Sequence, residues 1–147
     1  MKKIVLLLIF ISGSFASAQS FDFQYDHYSF IVKDLDKVGA FYKNVLNLKE
    51  IPHPSDTTNF KWFIVNGNSQ LHLIRKDSVA MEHSKSVHLC LATQKLEELI
   101  TYLEENNITY WDWPGKENSV TLRADGVRQI YLKDPENNWV EINNASH

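Results

Sequence analysis

Apolar and polar positions alternate through DHYSFIVK (26–33), with Tyr28, Phe30 and Val32 on one side and His27, Ser29 and Ile31 on the other. That period of two predicts a strand with one clearly apolar face. The period then changes. Leu35, Val38, Phe41, Tyr42, Val45 and Leu46 recur at helical spacing behind Asp34, a plausible N-cap, so a helix of about three turns is predicted, its apolar stripe in need of a sheet to cover. A Pro-containing loop and two β-rich runs follow, KWFIVN (61–66) and QLHLIR (70–75), separated by Gly67-Asn68, which reads as a hairpin turn. One more strand is predicted near Leu48–Ile51.

The pattern restarts at VHLCLAT (87–93), where Val87, Leu89 and Leu91 face one way and His88, Cys90 and Ala92 the other. A constant offset of 61 positions sets His27 on His88, Leu35 on Leu96, Asp36 on Glu97, Val38 on Leu99 and Phe41 on Tyr102. This is an internal repeat. A second amphipathic helix carries Leu96, Leu99, Ile100 and Leu103 and ends near Asn106-Asn107. After it come ITYWDW (108–113), a Pro114-Gly115 turn, SVTLR (119–123), VRQIYLK (127–133) and WVEIN (139–143). The expected class is α+β, with the order β-α-β-β-β used twice, module one over about 24–78 and module two over about 85–144.

The first stretch stands outside this pattern. Lys2 and Lys3 precede an apolar run from Ile4 to Ile11, and Ala16-Ser17-Ala18 supplies a small-x-small cleavage pattern, so residues 1–18 read as a signal peptide and 19–147 as a single domain, periplasmic or secreted. The apolar run is much shorter than the roughly 20 residues that cross a bilayer. Loss of Lys2 and Lys3 takes the formal charge from −3 to −5, and with no basic stripe to meet phosphate backbones, nucleic acid is not an expected partner. Cys90 is the only cysteine. An intrachain disulfide and a cysteine-based zinc cluster are therefore both excluded.

Polar residues on the second face of a strand beneath a helix point to water or a ligand. Leu71 and Leu73 oppose Gln70 and His72 in this way, and Val140 and Ile142 oppose Trp139, Glu141 and Asn143. Four strands thus offer one potential ligand apiece, with His27, His72, His88 and Glu141 as the candidates. A lone strand histidine is more often a satisfied surface or core residue, but the equivalent repeat positions of His27 and His88 favour a shared role. Three imidazoles and a carboxylate suit zinc, iron, nickel, manganese or cobalt better than calcium or magnesium. His53, His83 and His147 read as solvated, Arg75 and Arg128 as surface or salt-bridged, and Trp62, Tyr131 and Trp139 as packing.

DHYSFIVKDLDKVGAFYKNVLNL (26–48), VHLCLAT and GVRQIYLKDPENNWVEI (126–142) resemble the opening strand and helix, the second-module strand and the closing hairpin of the glyoxalase/bleomycin resistance/extradiol dioxygenase (vicinal oxygen chelate) superfamily. The resemblance implies two βαβββ modules forming a curved mixed sheet around a central cavity. It also implies one divalent transition metal held by the first and fourth strands of each module, which are the places of His27, His72, His88 and Glu141. His72 stands where relatives more often carry Glu or Gln, and DPENNW stands where they usually show an acidic residue followed by Gly, a turn that Asn137 suits through its tolerance of the left-handed conformation. Glu141 is expected to serve catalysis as well as ligation. The implied activity is that of a metal-dependent lyase or isomerase related to lactoylglutathione lyase, acting on a small oxygenated substrate. An iron(II) extradiol dioxygenase-like enzyme and a metal-free, drug-sequestering binding protein are the alternatives, and a homodimer is left open.

Overall fold

A computed structural model describes residues 24–55, 58–78 and 83–146; the expected signal peptide and His147 lie outside them. Module one runs β1 (His27–Val32), α1 (Leu35–Asn44), β2 (Lys49–Ile51), β3 (Phe60–Asn66) and β4 (Ser69–Arg75). Module two repeats that order as β5 (His88–Ala92), α2 (Leu96–Glu105), β6 (Thr121–Leu122), β7 (Arg128–Lys133) and β8 (Trp139–Asn143). The result is two four-stranded mixed sheets, β1-β4-β3-β2 and β5-β8-β7-β6. In each, the first and last strands of the module pair in parallel and the remaining pairs are antiparallel. This is the expected α+β class with the βαβββ order used twice.

The helices form where capping and stripe agree. Asp34 caps α1 by accepting from the Lys37 amide at 2.9 Å, and Leu35, Val38 and Tyr42 bury one face. The N-cap position of α2, Lys95, makes no side-chain capping bond; its amide donates to Thr93 Oγ1 instead, and Glu97 and Glu98 put negative charge on the first turn, where the helix dipole favours it. Asn47 and Asn107, just past the two helices, both have positive φ (52° and 54°), so the repeat extends to the way each helix is stopped.

One apolar core joins the modules, with Phe30, Val38, Tyr42, Phe63 and Leu71 from the first meeting Leu89, Leu103, Ile130, Leu132 and Val140 from the second. Full burial of such side chains contributes about 1.5–3 kcal/mol each before conformational entropy is set against it. Polar bonds fix how the modules meet. Glu136, in the β7–β8 turn, accepts from the amides of Lys33 (2.8 Å) and Asp34 (2.5 Å) at the mouth of α1, and the Tyr42 hydroxyl donates to Asp134 at 3.3 Å. Asp134 Oδ1 in turn accepts the Glu136 and Asn138 amides, and Asn137 takes φ 67° to close the turn.

Three local expectations change. ITYWDW supplies only a bridged residue, Trp111, which pairs with Glu117 and Tyr131, because its other side chains serve an irregular loop folded back on β7. Val87 precedes β5 and is exposed. His53 is not a solvated loop residue: its ring stacks on Phe60 and meets Trp62 edge-on, both with centroids 4.5 Å away. Among the described residues, no helix is long and apolar enough to cross a membrane.

Candidate metal centre

In module two the register sets three cross-strand rows on the polar face: His88–Trp139–Lys133, Cys90–Glu141–Tyr131 and Ala92–Asn143–Gln129. Glu141 occupies the middle of the central row and is 6% exposed, so its charge has to be satisfied from within. Its Oε1 accepts from Asn143 Nδ2 (2.8 Å) and Cys90 Sγ (3.4 Å), and its Oε2 from the Tyr131 hydroxyl (2.6 Å). His88 Nε2 lies 3.2 Å from the same Oε2. Burial pushes the Glu141 carboxyl up, but Tyr131, Asn143, Cys90 and His88 together outweigh it and hold it below its ordinary value. Burial and the neighbouring Glu141 raise the thiol of Cys90 to about 12. Although Cys90 is open to solvent on one side, its sulfur rests between Glu141 and Asn143.

The other nitrogen of His88 determines what this pair can do. Nδ1 lies 2.7 Å from the Lys85 carbonyl, and a carbonyl can only accept, so Nδ1 carries the hydrogen and Nε2 faces the carboxylate. A bare Nε2 lone pair and a carboxylate oxygen repel, so the pair calls for a cation between them, either a proton or a metal ion. Metal bonds of about 2.0–2.2 Å meeting at ordinary angles separate two donor atoms by roughly 3.0–3.5 Å, which is the separation found here. The hydrogen bonds of Nδ1 to Lys85 and of Glu141 to Tyr131 and Asn143 are the outer-layer contacts that orient metal ligands. The donor set fits a transition metal.

Module one brings together the other two predicted ligands. His27 and His72 lie on neighbouring parallel strands, with ring centroids 4.1 Å apart and planes at 16°. His27 Nδ1 is 2.5 Å from Asp26 Oδ2, leaving Nε2 for another partner, whereas His72 Nε2 bonds Gln70 Oε1 at 2.9 Å, leaving Nδ1. Burial, and secondarily His27, lower the pKa of His72. Trp62 stacks on the far side of His72 at 4.1 Å, and its buried Nε1 has no hydrogen-bond partner. Stacked rings direct their lone pairs side by side, so ligation of one ion by both requires a ring rotation.

The structure therefore groups the four predicted ligands as two pairs, one per sheet, and among the described residues no three His, Cys, Asp or Glu side chains are gathered around one point. A cavity of about 820 Å³ lies elsewhere: Leu46, Leu48, Val65, Leu91 and Leu99 line it, with Cys90 but none of the four ligand residues. The donor chemistry of His88 and Glu141, not the size of that cavity, marks the candidate metal centre.

The family model of the Glyoxalase/Bleomycin resistance protein/Dioxygenase superfamily matches residues 24–142, across both modules. The chain belongs to that superfamily. A fellow sequence, the uncharacterized protein YwbC of Bacillus subtilis, is 25% identical over 123 residues, covering 80% of this chain and 94% of that protein. The crystal structure of a protein of Bacillus anthracis assigned to the glyoxalase family superposes with a TM-score of 0.71 at 20% identity, covering 88% of this chain and all of the other (100%). Lactoylglutathione lyase of Agrobacterium tumefaciens superposes at 0.64 with 19% identity, covering 83% and 93%.

The sequence reads Tyr131 as packing and gives Asn143 and Gln129 no role, yet Tyr131 and Asn143 donate to Glu141 and Gln129 Nε2 donates to the Tyr131 hydroxyl at 2.9 Å. The signal was present in the alternation of Gln129 and Tyr131 opposite Glu141, but the pairing of strands was needed to read it. Lys85 was missed because its backbone carbonyl, which carries no sequence signature, is what orients His88. Arg75 and Arg128 are ion-paired with Asp77 and Glu97.

Proposed function

We propose that this superfamily member is a metal-dependent enzyme acting on a small oxygenated substrate, a lyase or isomerase related to lactoylglutathione lyase. The observation that carries the proposal is the His88–Glu141 pair, two ligand-type groups on one buried wall with Nε2 and Oε2 3.2 Å apart. His27 and His72 supply the further nitrogen donors. Because the two pairs lie on separate sheets, a four-donor centre needs them to meet, either within the chain or across a homodimer. A bound divalent metal supplies Lewis acidity to vicinal substrate oxygens. The chain's own residues do the rest: Tyr131 and Asn143 hold Glu141 ionised and in place, and Glu141 is the carboxylate at hand to accept a substrate proton. The expected signal peptide directs the chain to the periplasm or the exterior, where a glutathione adduct is not the main substrate available, so the proposal is for the reaction class and not for that substrate.

A metal-free binding protein is the competing reading, supported by the face-to-face stack of His27 on His72. Elemental analysis after native purification separates the two. The metalloenzyme holds about one transition-metal ion per chain, and His88→Ala loses most of it; full metal content in that variant removes the site. Oxygen uptake with catechols distinguishes an iron(II) dioxygenase-like activity from lyase or isomerase chemistry.

A further inference from the structure

Beside the His88–Glu141 pair, two lysines converge on one indole. Lys85 Nζ lies 4.6 Å from the Trp139 ring centroid and Lys133 Nζ 4.5 Å from it. Lys85 is also 5.3 Å from the Tyr131 ring, and Lys133 5.3 Å from the Trp111 ring. The position next to the reacting centre is set by covalent and hydrogen-bonded links: the Lys85 carbonyl accepts from His88 Nδ1, Tyr131 donates to Glu141, and Lys133 and His88 flank Trp139 in one cross-strand row. Neither lysine is fully exposed, and Trp113, tilted against Tyr131 at 5.7 Å, leaves 47% of its surface open at the rim.

Neither ammonium makes a salt bridge among the described residues, although the nearby Asp112 carboxylate favours the charge on Lys85. Lys85 Nζ donates to the Asp112 and Trp113 carbonyls, which leaves one of its three hydrogens available. Lys133 Nζ has no hydrogen-bond or ion-pair partner among the described residues. Asp112 Oδ1 accepts the amides of Gly115 and Lys116, and Glu141 is directed at Tyr131, Asn143, Cys90 and His88. A cation over an indole is stabilised by the ring, and Lys133 disfavours the charge on Lys85, a repulsion that a shared anion would relieve.

We propose that Lys85 and Lys133, seated on Trp139 beside His88 and Glu141, form a subsite for an oxyanion group of the substrate, a carboxylate or phosphoryl oxygen set carried away from the oxygens that face the metal. This deepens the function proposed above and rests on it for the position of the reacting centre.

The probes are 3,4-dihydroxybenzoate and its neutral isostere 3,4-dihydroxybenzamide, which share ring and vicinal oxygens and differ in charge. Binding to the full-length, metal-loaded protein is read by tryptophan fluorescence and calorimetry. The acid is expected to bind at least about tenfold tighter than the amide, as charge-assisted hydrogen bonds imply. Lys85→Met with Lys133→Met brings the ratio to near one with amide binding kept, while Lys85→Arg with Lys133→Arg retains the preference. Equal binding of acid and amide by the parent protein, or an unchanged preference in the double Met variant, overturns the subsite. Repeating the pair on chelator-treated protein keeps the two readings apart: a charge preference that survives there, in a protein whose His88→Ala variant binds metal as well as the parent, sinks the metal centre and leaves the oxyanion subsite standing.

Discussion

Tyr131 and Glu141 stand opposite one another on β7 and β8, and the phenolic hydroxyl of one donates to Oε2 of the other at 2.6 Å. That same oxygen faces His88 Nε2. The raised pKa of Tyr131, caused by burial and then by this bond, keeps its proton in place to be donated. Removal of the hydroxyl leaves the ring in its packing and frees Glu141 to turn. Tyr131→Phe is therefore expected to lower metal affinity by about 10–100-fold with little change in melting temperature. Calorimetric titration of chelator-treated protein measures this, and equal affinity in parent and variant would show that the hydroxyl does not orient the ligand.

Glu141 also sets an expected acid limb. Its carboxyl is held below the ordinary value of 4.5 in the folded chain, so the stability it contributes is fully present above about that pH and is lost as pH falls through the lower folded value. Chelator-treated protein should lose stability below pH 4.5 more steeply than Glu141→Gln does, in urea unfolding followed across pH 3–6. Parallel curves for the two proteins would mean that Glu141 is not held ionised by its neighbours.

Glu136 ties the modules by accepting the two amides at the entrance to α1. Glu136→Ala leaves those donors to water and removes a negative charge from a helix N-terminus, at a cost of about 1–2 kcal/mol. The midpoint of urea unfolding should fall accordingly with the slope unchanged. A variant as stable as the parent would assign the join to the apolar core alone.

Cys90 should react slowly despite its exposure, because the thiolate is the nucleophile and the thiol is raised to about 12. Iodoacetamide at pH 8 should modify it about a thousandfold more slowly than an unperturbed cysteine in chelator-treated protein. Glu141→Gln removes the charge that opposes ionisation and should speed the reaction. Rapid alkylation of the parent would contradict the raised thiol of Cys90.

Much of this was legible along the chain. The period-two runs at 26–33 and 87–93, the helical stripes behind Asp34 and from Leu96, and the offset that carries His27 onto His88 determined two equivalent modules and which face of each strand is polar, because alternation and helical periodicity are local properties of the backbone. The four ligand-type residues followed from those faces. Tertiary structure decided which of them meet: parallel pairing of β1 with β4 sets His72 against His27, and that of β5 with β8 sets Glu141 against His88. It also decided that a lysine carbonyl orients His88 and that a tyrosine read as packing holds the carboxylate. Contacts of that kind depend on register between strands far apart in sequence, and one residue of slip would turn every such side chain to the other face.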